Sequence, residues 1–454
     1  MPKRDKIFRT AFAPEVPFRY ERLPFFYGWL VTVGATLGVL FSIPGQTMGF
    51  SVFTEILMNE LGLSRMALSS AYFFGTVASG LTLPALGKLF DHWGARRMIV
   101  LSSAATGVVL LYLSEVADLA RWLVGVAPWM AKTVVAFALI TIGFYLIRLA
   151  AQGVLTMTSR NVVGKWFDHR RGMAMAISGV FVSFGFSVAP RFLNQLIEIF
   201  GYDGAWRLLA LLTLALMLPL GWLIFRDNPE ECGLEMDGGK VETGRAMNLD
   251  MVIHREYTRQ EALKTYALYV FNLSFGFIAL FSTAFTFHIE SIGQEFGFTK
   301  SRIIEFFLPM AVISVFANLT AGWINSRIRL KYLLLTMNLG SVLGALGLLF
   351  LNSTLGVVAY VVGNGLAGGI FASLIGLVWP RFYGRQWLGA ISGLAMSCMV
   401  VASGIGPWLF ALSRSLTGSY QLVLMVMITL PTVLCVASVW AENPQRKRGG
   451  SKAI

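Results

Sequence analysis

Charged residues are scarce in this chain. Asp, Glu, Lys and Arg make up 13% of the 454 residues, against 56% hydrophobic residues and a mean hydropathy of +0.66. A soluble protein carries about a quarter charged residues, so this composition excludes a set of ordinary soluble domains. The net charge of +13 does not indicate a nucleic-acid partner, because the basic residues lie in short segments between apolar runs, where they set topology. Cysteine is nearly absent as well: Cys232, Cys398 and Cys435 are too few and too scattered for a disulfide framework and read as inert. The four histidines, His92, His169, His254 and His288, have no metal-ligand company, and no phosphate-binding loop of the Walker type occurs. Neither a metal, nor a cofactor, nor an ATP-driven step is therefore expected. No Asp or Glu falls in the middle of an apolar run; Glu55, Glu198, Glu290 and Glu305 all sit near run ends. A convincing signal-peptide cleavage site is missing too. Lys3, Arg4, Lys6, Arg9, Arg19 and Arg22 precede an apolar run longer than a signal core, which predicts a retained cytoplasmic N-terminus.

What the sequence does have is apolar length. A helix needs about 20 residues to cross about 30 Å of hydrocarbon. Runs of that order recur near 27–52, 65–88, 97–115, 133–163, 172–196, 205–225, 263–288, 302–323, 331–351, 354–380, 388–412 and 419–440, predicting twelve membrane spans. With the N-terminus inside, the segments on that side hold 27 Lys and Arg and the opposite side holds seven, while Arg148, Arg160 and Arg191 fall within spans. This bias predicts cytoplasmic termini and supports an even span count. The expected organisation is a cytoplasmic segment 1–26, a six-helix bundle 27–225, a cytoplasmic linker 226–262, a second six-helix bundle 263–440 and a cytoplasmic tail 441–454. The expected fold class is all-α integral membrane with two pseudo-symmetric bundles, as a monomer in the cell membrane, the inner membrane if the chain is bacterial.

The two halves repeat. Ala176-Ile177-Ser178-Gly179 in span 5 returns 214 residues on as Ala390-Ile391-Ser392-Gly393 in span 11, and Asp227-Asn228-Pro229 returns 215 residues on as Glu442-Asn443-Pro444. Matches at corresponding places are what a duplicated six-span unit gives. Gly87 through Asp91 corresponds to Gly322 through Ser326 at an offset of 235, so the first half holds roughly 20 extra residues. They are found at 114–132, where Trp122, Leu123, Val124 and Trp129 read either as an amphipathic piece at the interface or as a long loop.

Between spans 2 and 3 stands Gly87-Lys88-Leu89-Phe90-Asp91-His92-Trp93-Gly94-Ala95-Arg96-Arg97. This resembles the signature loop of the major facilitator superfamily, in which glycines permit a tight turn, an acid meets a helix terminus and basic residues anchor the cytoplasmic surface. Tyr27-Gly28-Trp29, Trp166 through Gly172, and Asp227 through Leu234 are similar to segments of the monocarboxylate and oxalate/formate branch. The resemblance implies alternating access between two bundles, with Gly87, Asp91, Gly94, Arg96 and Arg97 as conformational elements. Carriers of that branch place a cation deep in span 8. Here Lys300, Arg302 and Glu305 sit at the outer end of that span, so a deep cation has to be sought elsewhere.

An ionisable group at the centre of a span is unfavourable by about 2.5–3.5 kcal/mol on insertion scales, which makes it a functional candidate. Arg148 lies near the middle of span 4, with Tyr145, Gln152 and Thr156 three or four residues apart along one helical face. Such a face offers a cation, a phenol and an amide to an anion; the bland alternative is a structural pair with another span. Arg160, one turn from the end of the span, reads first as structural. In span 1, Pro44-Gly45 breaks the helix before Gln46, and interrupted helices line transport cavities. Asn272 in span 7 and Asn364 in span 10 are further solute-contact candidates, against the alternative of helix bridging. Pro190 and Pro407 lie in Gly/Pro stretches of spans 5 and 11 and read as packing and gating elements. The reading is non-enzymatic transport of a small organic solute, an anion such as a monocarboxylate, coupled to a proton or a counter-solute where coupled at all. The alternatives are efflux of amphipathic compounds, consistent with 35 Phe and 19 Met, and a membrane sensor or intramembrane enzyme on the same scaffold.

Overall fold

The structure, a computed structural model, describes residues 12–17, 24–239, 253–299, 302–303 and 305–446. The basic cluster from Lys3 to Arg9, together with Arg19, Arg22 and Lys300, lies outside the described residues, and so does part of the expected 226–262 linker, beyond Gly239. Among the described residues every regular element is helical. Ten stretches are long and apolar enough to cross a membrane, and two of them are double: Met66–Ser114 has 49 residues and Arg171–Ile224 has 54, more than twice the roughly 20 of one crossing. Gly94 (φ 80°) breaks the first and Gly201 (φ 73°) the second. A side chain at Gly94 would be doubly excluded, because a Cβ there would also lie 2.1 Å from Oδ2 of Asp227. The result is twelve spans in two six-helix halves.

In the first half, span 1 runs over Gly28–Phe41, a 3₁₀ turn Ile43–Gly45 and Thr47–Phe50. Spans 2 and 3 are the two parts of Arg65–Ser114. Span 4 is Lys132–Ile147, a π-helical stretch Arg148–Leu155 and Thr156–Trp166. Spans 5 and 6 share Arg171–Leu212, continued by Thr213–Met217 and Leu218–Ile224. In the second half, spans 7 to 12 are Tyr266–Phe287, Phe307–Ile324, Leu330–Leu349, Thr354–Tyr383, Leu388–Thr417 and Gln421–Ser438. The 114–132 segment contains a helix, Val116–Val126, with Val116, Ala117 and Ala120 buried. Trp122 and Trp129 are exposed, which is the amphipathic arrangement of its two alternatives.

Large apolar side chains such as Leu81, Val108, Leu211, Leu308 and Phe316 face outward, as lipid-covered helices require. Several buried hydroxyls in the spans bond to their own helix: Thr32 donates to the Gly28 carbonyl (2.9 Å) and Thr213 to the Leu209 carbonyl (2.8 Å). The halves meet where span 2 packs on span 11 and span 5 on span 8, and the repeated motifs mark those crossings. A Cβ at Gly87 would lie 2.2 Å from the Gly389 carbonyl, and one at Gly322 would lie 2.5 Å from Cβ of Ala176. Small residues are needed at both places because the helix backbones nearly touch.

Candidate functional site

Two broken helices build the centre. Pro44 supplies no amide hydrogen, and Gln46 adopts extended φ/ψ (−85°, 153°), so the carbonyls of span 1 leave the helical ladder there. Span 4 lies directly on this break: a Cβ at Gly45 would stand 2.6 Å from Cβ of Ala151 and 2.8 Å from the Ile147 carbonyl. At the same level span 4 changes to π-helix, beginning at Arg148, and π-bulges frequently mark functional positions.

The Arg148 side chain is 1% exposed. Its Nη1 donates to the Gly45 carbonyl (3.2 Å) and to Oγ1 of Thr47 (3.3 Å), and its Nη2 donates to Oγ of Ser403 (2.6 Å). The guanidinium carbon lies 5.1 Å from the centre of the Tyr72 ring, a cation–π contact. The Tyr72 and Thr47 hydroxyls are 2.6 Å apart. Nε is buried without a partner. Every described partner of Arg148 is thus neutral, and among the described residues no carboxylate comes within ion-pair distance. Ser403 belongs to span 11, so its bond ties the two halves together at mid-depth.

The other candidates separate into those gathered at this point and those held elsewhere. Gln46 donates to Oγ of Ser42 (3.1 Å) and Oγ1 of Thr156 (3.3 Å), on the span 1 to span 4 contact. Gln152 lies on the same contact, with its Oε1 buried and without a hydrogen-bond partner. The Tyr145 hydroxyl is 3.3 Å from that of Thr82 and faces span 2. Asn272 has a buried Oδ1 with no partner, while its backbone carbonyl is 3.9 Å from Sγ of Cys398. Asn364 donates to the Tyr360 carbonyl of its own helix (3.0 Å) and packs against Gly344 of span 9. Sequence reasoning did not single out Thr47, Tyr72 or Ser403. Ser403 left one signal: it sits four residues before Pro407, whose missing amide frees the Ser403 carbonyl from the helical ladder. The Pro407 carbonyl is 2.9 Å from Nε2 of His288. Pro190 lies inside span 5 beside buried Ala189.

At the end of the molecule that carries the signature turn, hereafter the basic end, the halves are latched. Asp91 accepts from the backbone amides of Gly389 and Ala390, both at 2.7 Å, at the positive start of span 11. Burial pushes its carboxyl up to about 6, although the bonds from Ala390 and Gly389 and the neighbouring Lys165 and His92 pull the other way. Arg96 is buried and donates to the Trp222, Ala13 and Val16 carbonyls, while its amide donates to Asp227 (2.8 Å). Arg97 lies 5.7 Å from the Phe12 ring centre. Further links between the halves run from Asn161 to Ser392 (2.6 Å), from Asn318 to the Ala176 carbonyl (2.9 Å) and from Arg385 to the Lys165 carbonyl (2.8 Å). Towards the far end, Phe181, Phe184 and Phe192 of span 5 and Leu308, Val312 and Phe316 of span 8 are exposed.

The profile of the Major Facilitator Superfamily matches residues 35–407, most of both halves. The chain belongs to the Major Facilitator Superfamily. A curated relative, the MFS-type transporter pytF of Aspergillus terreus, is 26% identical over 209 residues, 45% of this chain and 63% of that protein. The match therefore spans under two thirds of that relative's length. Three solved structures share the superfamily fold. The human organic anion transporter MFSD10 has a TM-score of 0.59 at 15% identity, covering 92% of this chain and 100% of the other. A bacterial homologue of the iron transporter ferroportin has 0.64 at 14%, covering 90% and 99%, and a variant of the E. coli fucose:proton symporter FucP has 0.61 at 13%, covering 91% and 98%. Membership places the chain among the multi-pass membrane proteins of a transporter superfamily. In a superfamily transporter the two halves must part at one end and then the other, and the Arg148–Ser403 bond and the Asp91 latch both cross the surface along which they part.

Proposed function

We propose that this superfamily member carries a small organic anion, a monocarboxylate or close analogue, by alternating access, with Arg148 as the anion site. One observation supports this reading above the others. Arg148 is a permanent cation at mid-span whose described partners are all neutral, and the hydrogen bonds it donates to those neutral acceptors leave its charge uncompensated. An anion entering the centre supplies that compensation and takes the planar fork in a bidentate contact. Thr47 and the Tyr72 ring touch the guanidinium, Gln46 and Gln152 contribute from the adjoining span 1 to span 4 contact, and Tyr145, Asn272 and Asn364 take more peripheral contacts. With no Asp or Glu in the middle of a span, charge compensation falls to the solute itself, through uniport, exchange for a second anion, or a proton carried with the solute.

The basic end is assigned to the cytoplasm by its Lys and Arg excess, the bundles to residues 27–225 and 263–440, and the working unit to a monomer. Proteoliposomes offered labelled monocarboxylates, dicarboxylates, zwitterions and amphipathic cations test the reading. Uptake of a monocarboxylate is expected, weakened by Arg148→Lys through loss of the fork and weakened further by Arg148→Gln. Transport of cations only, or normal anion uptake by Arg148→Gln, overturns the assignment.

A further inference from the structure

The half of span 4 nearest the basic end is enclosed on every side. Of the residues in Thr156–Trp166, all are buried except Arg160. A half-buried side chain on an otherwise buried helix opens onto an interior space rather than onto lipid. Its direction follows from the helix: Gly164, one turn on, packs on Pro380 and Leu388 of the second half, and Thr156, one turn back, bonds to Ser42 of span 1. Arg160 therefore points between span 1 and the start of span 11, into the seam that opens when the halves part. No hydrogen bond, ion pair or ring contact joins Arg160 to any described residue, in contrast to Arg148, Arg96 and Arg171. Snorkelling accounts for a cation that reaches bulk water at a span end. It does not account for one held inside a wholly enclosed turn.

We propose that Arg160 is a second anion station, which holds the carboxylate of the transported solute between the central site and the basic end. This rests on the anion reading of Arg148. The two arginines are twelve residues apart, at most about 18 Å at the α-helical 1.5 Å per residue and somewhat less across the π-helical stretch, still too far for one small carboxylate to bridge. They are successive positions rather than two hands on one solute. The wall between them is polar: Gln152 Oε1, Thr158 Oγ1 and Ser159 Oγ are buried without partners, and Thr156 bonds to Ser42 at 3.0 Å. A small anion thus finds one cation at each end of this stretch and meets no fixed carboxylate of span 4 within it.

The test uses the full chain in proteoliposomes sorted by orientation, with acetate, pyruvate, lactate and oxalate each offered to one end at a time. Wild type, Arg160→Gln, Arg160→Lys and Arg148→Gln are compared for equilibrium binding and for counterflow. The expected result is that Arg160→Gln slows counterflow of the bound anion about tenfold when it is offered at the basic end. Its binding from the far end stays within about twofold, and Arg160→Lys recovers most of the rate because it keeps the cation. Removing a cation from the interior lightens the insertion burden, so the variant should express normally. Normal counterflow in Arg160→Gln from both ends, with Arg148→Gln inactive, overturns the second station and leaves the central site standing. If wild type neither binds nor moves any of the four anions, the anion reading falls and the second station falls with it.

Discussion

Arg148 and Ser403 come from spans 4 and 11, 255 residues apart, and their bond is a neutral stand-in for an anionic ligand. Hydrogen bonds to charged groups contribute about 1.5–3 kcal/mol, so the hydroxyl stabilises this conformation measurably without neutralising the charge. An incoming carboxylate competes with it for Nη2. Ser403→Ala should therefore lower the KM for the transported anion several-fold at unchanged expression, because the competitor is gone. It should also raise uncoupled leak, because one tie between the halves is lost. An unchanged KM together with unchanged leak would mean that the bond does not persist in the working protein. Arg148 was legible through its charge, since a lone cation in an apolar run stands out. Ser403 was not, because a serine in a span is ordinary and bonds its own helix, as this one also does to the Val400 carbonyl (2.7 Å).

At the scale of the elements, the start of span 11 is held by Asp91 from the turn between spans 2 and 3. The two short bonds would suggest that a charged Asp91 strengthens the latch, yet desolvation outweighs them and raises the carboxyl from its ordinary 3.8 to about 6. When the basic end opens, water returns and the ordinary value is restored. The closed conformation therefore holds the proton more tightly, so acidification from pH 7 to pH 5 favours closure, and the charged form opposes it above about pH 6. His92, Lys165, Arg97, Asp227 and Glu231 line the same polar recess, of about 260 Å³. Asp91→Asn removes the charge and turns one acceptor into a donor facing an amide, so the latch loses a bond and its pH response. Turnover should slow more than binding weakens. The accessibility of a cysteine placed at the start of span 11 should change between pH 7 and pH 5 in the wild type and remain flat in Asp91→Asn. A mutant with the wild-type pH profile would take the response away from Asp91.

For the whole molecule, the duplicated sequence reappears as duplicated contacts. Asp227 accepts from the Arg96 amide in the 2–3 turn, and its repeat Glu442 pairs with Arg329 (3.2 Å) and Lys331 of the 8–9 turn. Asp237 accepts from the amides of Asp168, His169 and Arg170 before span 5, and Glu256 accepts from that of Gln386 before span 11. The symmetry is incomplete, because the position of Asp91 is taken by Ser326 in the second half, and this makes the latch one-sided. If the basic end faces the cytoplasm, a cysteine introduced at Gly239 should resist an impermeant thiol reagent in intact cells and react after permeabilisation. Labelling in intact cells would invert the topology.

Hydropathy, residue spacing and local glycine chemistry were enough to establish the membrane class, the span count, the duplication and the position of the signature turn, because a linear chain carries all three in full. The surroundings of Arg148 came from the packing alone. The π-helical turn redirects span 4, the break at Gly45 offers a carbonyl across the helix contact, and Tyr72 and Ser403 arrive from spans that no local period connects to it. Packing also separated Tyr145, turned to Thr82, from the guanidinium that lies three residues on, since a helical face predicts neighbours along one helix and is silent about what stands opposite. A site between helices depends on contacts between residues that are far apart in sequence, and no local pattern encodes them.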